Sequence, residues 1–82
     1  MTPRERQGQI SEWSLQFSKN TKRLMDARVM SIDALRRAVG LSHGNIHRLV
    51  NSQTEIPLKS AMLISSYFDK SLEEMVTKDV TV

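Results

Sequence analysis

The chain has 82 residues, 39% of them apolar and 26% charged, with a formal net charge of +3 at pH 7 and no cysteine. That length suits one modest core with no attached sensor domain, the composition is that of a folded globular chain, and the missing cysteine excludes disulfides and thiolate metal sites. No apolar run approaches the roughly 20 residues of a membrane span, and the opening "MTPRERQGQ" has no secretory stretch, so a cytoplasmic protein is expected.

In chain order, "TPRE" at residues 2–5 reads as a helix start, with Thr2 as cap, Pro3 at the first helical position and Glu5 three residues after the cap; Gly8 weakens the first turns. Ile10, Trp13, Phe17, Thr21 and Leu24 then recur at spacings of three and four, one face of a single helix or of two helices joined near residues 18–20. Ser31 is placed to cap the next helix, with Asp33 in its first turn, an apolar face of Ala34, Leu35, Ala38 and Val39, and Gly40 as its stop. Ser42 caps another short helix whose inner face is Ile46, Leu49 and Val50.

The polar stretch "NSQTEIP" at 51–57 reads as a loop feeding a helix from about Pro57 to Phe68, which buries Ala61, Met62, Ile64 and Phe68. "SLEE" at 71–74 is a capping box of Ser71 and Glu74, opening a last turn or two with Leu72, Met75 and Val76 inward. Residues 77–82 are expected to fray unless a second subunit holds them. No stretch alternates like a strand, so the fold expected is all-α, a compact bundle of about five short helices.

Charge is uneven along the chain. Residues 1–48 carry nine basic and four acidic side chains, a balance of +5, while residues 49–82 carry three and five, a balance of −2. Such a field suits a molecule that presents one end to an anionic partner, the alternative being a solvated surface with chance asymmetry. Two helices of about eight residues joined only by "GLS" cannot pack antiparallel and must cross at roughly 90 to 120°. Gly40 permits a positive φ at that corner, Leu41 plugs it, and His43, Gly44, His47, Arg48 and Asn51 share the outer face of the second helix.

The stretch "LMDARVMSIDALRRAVGLSHGNIHRLV", followed by a polar loop, a proline-started helix and "YFDKSLEEMV", resembles the helix-turn-helix family of the Cro and phage-repressor type, also called the xenobiotic-response-element type. The resemblance covers about Phe17 to Val76: Gly40 takes the turn glycine, Leu35, Val39, Leu41, Ile46 and Leu49 the five apolar motif positions, and Ser42 the recognition-helix cap. Arg36 stands where that family carries a small alanine, so it either tilts the helix pair or leads its guanidinium outward, and Ile32 replaces a polar residue that often touches phosphate.

The organisation implied is an N-terminal helical extension at 1–16, a helix-turn-helix DNA-binding domain at 17–76 and a frayed tail at 77–82. The resemblance implies a double-stranded DNA-binding transcriptional regulator, bacterial or phage-encoded. Ser42, His43, Gly44, His47, Arg48 and Asn51 would face the bases, and Ser31, Arg37, Gln53, Thr54 and Lys59, with Asn51, the phosphates. Glu55 must point away from phosphate. A homodimer on a palindromic operator is expected, with recognition helices about 34 Å apart and Ile10, Trp13, Tyr67 and Met75 as candidate contacts.

Other readings are weaker. His43 and His47 have the four-residue spacing of a zinc motif, but Gly44 stands where its glutamate would be and no third strong ligand exists. Arg36, and less readily Arg37, can be read as solvated surface, and the methionines as core filler. No cofactor is implied, and no enzyme, because neither histidine has an acidic residue beside it and no glycine-rich phosphate loop is present. RNA binding lacks a stacking platform. The competing class is a protein-interaction module of the same fold, an antitoxin-like or anti-repressor partner; a regulatory protein partner is compatible with either.

Overall fold

The structure, a computed structural model, describes residues 10–82 and holds five helices among them: α1 Glu12–Ala27, α2 Ile32–Val39, α3 His43–Val50, α4 Leu58–Tyr67 and α5 Leu72–Thr77. The helix start at Thr2, Pro3, Glu5 and Gly8 lies outside the described residues.

Serine caps open four of these helices. Ser11, Ser31, Ser42 and Ser71 each accept a hydrogen bond from the backbone N–H three residues on, satisfying a donor the first turn would otherwise leave open. Ser71 and Glu74 close the capping box reciprocally. α4 begins instead at Pro57, with no side-chain cap.

Four helix ends share one device. Gly40, Val29, Ser52 and Asp69 adopt left-handed φ values of 76°, 54°, 56° and 57°. The residue after each donates its backbone N–H five residues back: Leu41 to Arg36, Met30 to Met25, Gln53 to Arg48 and Lys70 to Ser65. At Gly40 an added Cβ would meet nothing within 4 Å, so the glycine answers a conformational demand alone.

α1 is the spine. It runs unbroken, without a join at 18–20, and crosses the boundary drawn at residue 16, because its buried face of Ser14, Phe17, Ser18, Thr21, Leu24 and Met25 is continuous. α1 packs against α5 and α3, α3 against α2, and α4 against α2 and α5. Phe17, Leu35, Ile46, Ile64 and Met75 are completely buried at the centre. Ala34 and Ala38, placed inward from the sequence, are exposed, and Leu35 and Val39 alone form the buried stripe of α2.

The tail and α4 depart from expectation. Residues 77–82 do not fray: Val80 is 1% exposed, and its N–H donates to Asn20 Oδ1 at 3.1 Å. Asn20 Nδ2 donates to the carbonyls of Met75 (2.9 Å) and Lys78 (2.7 Å), and Gln16 Nε2 to Lys78 O and Asp79 Oδ1. Lys19 adds an ion pair to Asp79 at 3.1 Å. This one-sided anchoring to α1 replaces the second subunit that the tail was thought to need. Met62, expected inside, is 57% exposed, because Ser60, Ala61, Ile64 and Ser65 form the buried side of α4, continued by Phe68 just past its end.

Candidate nucleic-acid interface

α3 is held from within and bare outside. Ile46, Leu49 and Val50 are buried, anchoring the helix through one stripe, while His43, Gly44, Asn45, His47, Arg48 and Asn51 are exposed. The helix begins three residues beyond the left-handed Gly40, so it departs from α2 through a corner and cannot continue it as a rod. Leu41 fills that corner, half-buried against the core.

The outward side chains are engaged only lightly, and with their own helix. Arg48 Nη2 donates to Asn45 Oδ1 at 2.7 Å, and Asn51 Nδ2 donates to the His47 carbonyl at 2.8 Å. The His43 and His47 rings stack with centroids 6.2 Å apart. Among the described residues, no group of three His, Asp or Glu side chains comes together to hold a metal ion. Gly44 leaves the first turn of α3 bare, and a Cβ there would reach Arg48 Nη1 at an ordinary 3.5 Å.

Beside this face lies a hollow of about 80 Å³ lined by Leu41, Asn45, Arg48, Leu49, Thr54, Pro57 and Ser60. It is far smaller than a drug-sized ligand needs. The start of α4, which has no side-chain cap, adjoins the hollow through Pro57 and Ser60, and Arg48 lines it from α3.

The remaining sequence candidates are dispersed around α3. Ser31 is exposed at the start of α2 with its hydroxyl used as the cap. Arg37 is exposed but paired with Asp33 at 2.9 Å, while Arg36 leads its guanidinium outward to the same carboxylate at 2.8 Å. That hydrogen bond, then the charges of Arg36, Arg37 and His43, hold the Asp33 carboxyl below its ordinary pKa. Gln53 is exposed, Thr54 is half-buried with its hydroxyl donating to the Glu55 carbonyl, and Lys59 is exposed on α4.

Glu55 does turn aside. Its carboxylate accepts from the Ser11 N–H (2.8 Å) and hydroxyl (2.6 Å) at the α1 N-terminus, and these bonds lower its pKa. The neighbouring Ile56 N–H donates to Ser14 Oγ, so the loop after α3 is fastened to α1 at two points.

A family model describing the Cro/C1-type HTH DNA-binding domain matches residues 20–77. The chain belongs to the Cro/C1-type helix-turn-helix family. Comparisons with curated proteins and with solved structures returned no match. In this Cro/C1-type domain, α2 and α3 are the helix pair, α3 presents the polar face, and no helix among the described residues is long and apolar enough to cross a membrane.

Sequence reasoning missed a second basic feature. Lys19, Lys22 and Arg23 of α1, with Asp26, line a shallow hollow against Val50, Asn51 and Ser52 at the end of α3. Lys22 and Arg23 have no ion-pair partner among the described residues. With Lys19 and Asp26 they stand at i, i+3, i+4 and i+7, one face of α1 that the spacing already offered, and the fold brings that face beside Asn51. Asn45 was missed as well, although its position three residues before Arg48 was a readable clue.

The candidate dimer contacts divide. Trp13 and Tyr67 are 36% and 40% exposed and Ile10 is half-buried, so all three remain accessible. Met75, expected among them, is completely buried on α5 and offers no surface to a second copy.

Proposed function

We propose that this Cro/C1-type domain is a homodimeric transcriptional regulator, a repressor or controller, that reads a palindromic double-stranded operator with α3. The observation that carries the reading is the division of α3, in a chain of this family, into a buried apolar stripe and an exposed face of hydrogen-bonding side chains. Arg48 supplies two parallel donors to guanine O6 and N7, exchanging its internal bond to Asn45 for the base. His43, His47 and Asn51 reach neighbouring base edges, with Ser42 at the helix start, and Gly44 lets the backbone come close.

Phosphates are met at the rim by the α2 N-terminus at Ser31, by Arg37, Gln53, Thr54 and Lys59, and by the open first turn of α4. Lys22 and Arg23 join that set from α1. The chemistry is binding, and the groups that would discriminate sequence are few. A single copy reads only a handful of base pairs, so two copies are required for useful specificity, their α3 helices about 34 Å apart.

The test is selection from a random duplex library followed by affinity measurement on the winning sequence. A two-fold symmetric site is expected, with Arg48→Ala weakening it by about 1–3 kcal/mol, roughly 5- to 150-fold, and relaxing preference at one position per half-site. Absence of any duplex binding at low salt would overturn the reading and leave a protein-interaction module in its place.

A further inference from the structure

α4 has an outer side that the core does not use. Leu58, Lys59, Met62, Leu63, Ser66 and Tyr67 occupy one half of its circumference; Leu58 is 61% exposed, Met62 57%, Leu63 37% and Tyr67 40%. Leu58, Lys59, Met62, Leu63 and Ser66 line a shallow, almost wholly apolar hollow. Tyr67 is held in position, its ring 5.8 Å below the Arg28 guanidinium and its hydroxyl 3.9 Å from Met30 Sδ. Solvent-facing helix sides are ordinarily polar, and this one gathers four large apolar or aromatic side chains.

We propose that this side of α4 joins two copies of the chain, antiparallel, about a two-fold axis between Met62 and Leu63. The inference rests on the homodimer proposed above and assigns its surface. Self-complementarity supports a second copy as the occupant. Pairing residues whose numbers are reflected through that axis sets Met62 against Leu63, Leu58 against Tyr67 and Lys59 against Ser66. Apolar groups meet apolar groups, and the single charge of α4 meets a hydroxyl. Lys59 lays its methylene stem on the seam and leads its ammonium to the rim. A parallel pairing would instead set Lys59 against Lys59, a like-charge contact.

The chain's own leading segment is a poor alternative cover. "MTPRERQGQ" carries three charged side chains and one large apolar residue, Met1. Size also fits a particular kind of dimer. The four exposed side chains offer on the order of 400 Å² per copy, about 800 Å² for a pair, below the roughly 1,200 Å² of a stable interface. The contact is therefore a weak one, formed at high concentration and consolidated when two copies occupy adjacent half-sites.

The absence of cysteine makes the test clean. A short bis-maleimide should link Met62→Cys chains to one another. It should also link a mixture of Leu58→Cys and Tyr67→Cys chains, but neither of these alone, because equivalent positions lie about 13 Å apart along the axis. Met62→Asp, an exposed change that leaves the helical circular dichroism intact, should weaken self-association at least tenfold in sedimentation, while Trp13→Ala should not.

The outcomes are separable. A chain that is monomeric at every concentration, alone and on its selected duplex, overturns the dimer and this surface together. A dimer indifferent to Met62→Asp, or one linked through Trp13→Cys instead, overturns the surface alone. Linkage of Leu58→Cys to itself overturns the antiparallel register.

Discussion

Asn20 and Asn51 are the same residue put to opposite uses. Asn20 is completely buried on α1 and its amide holds the chain's last turn through three hydrogen bonds to residues 75, 78 and 80. Asn51 stands exposed at the end of α3 with one bond, to a carbonyl of its own helix. The amide of Asn20 is consumed by the fold, whereas that of Asn51 keeps a donor and an acceptor in reserve at the surface.

The sharpest way to break this contrast is Asn20→Ala. It strips the partners from buried backbone groups and should lower stability by about 2–4 kcal/mol in chemical denaturation, with the tail released first in hydrogen exchange. Asn51→Ala should leave stability within about 0.5 kcal/mol and act on DNA binding only. Removing Lys22 and Arg23 together by glutamine tests whether the α1 hollow belongs with the reserve. The slope of log affinity against log salt should flatten by about 2, with equal loss on all sequences. An unchanged slope would return both to ordinary solvated surface.

Gly44→Ala separates folding from recognition within one residue. The Cβ fits, so stability should rise by a few tenths to about 1 kcal/mol, while affinity falls because the backbone can no longer approach the bases as closely. The smallest effect concerns acid. The Glu55 carboxyl titrates below its ordinary value in the folded chain, first because of the Ser11 hydroxyl bond, so its contribution is present above the unfolded pKa and lost as pH falls through the folded one. Stability measured from pH 6 down to pH 3 should fall slightly less steeply in Glu55→Gln than in the parent.

Local chemistry was legible in the sequence wherever one residue type answers one backbone need. Ser31, Ser42 and Ser71 announced their helices, Gly40 announced the corner, and the outer face of α3 followed from the spacing of Ile46 and Leu49. Contacts between distant segments were not legible. Nothing near Asn20 tells that its amide is met 55 to 60 residues later, and Ser11 does not advertise Glu55. Met62 misled for another reason: α4 is apolar around most of its circumference, so periodicity could not say which side faces the core. Three left-handed turns passed unnoticed because valine, serine and aspartate stand where glycine would have signalled them.

Those three turns leave headroom in the molecule. A β-branched residue in the left-handed region costs about 1–2 kcal/mol, and Val29, 91% exposed, makes no packing contact that compensates. Glycine at 29, and to a lesser degree at 52, would add a margin without touching the face of α3. Such a background would tolerate more exchanges at the exposed positions 43, 47, 48 and 51, making the scaffold a forgiving one in which to vary the outer face of α3.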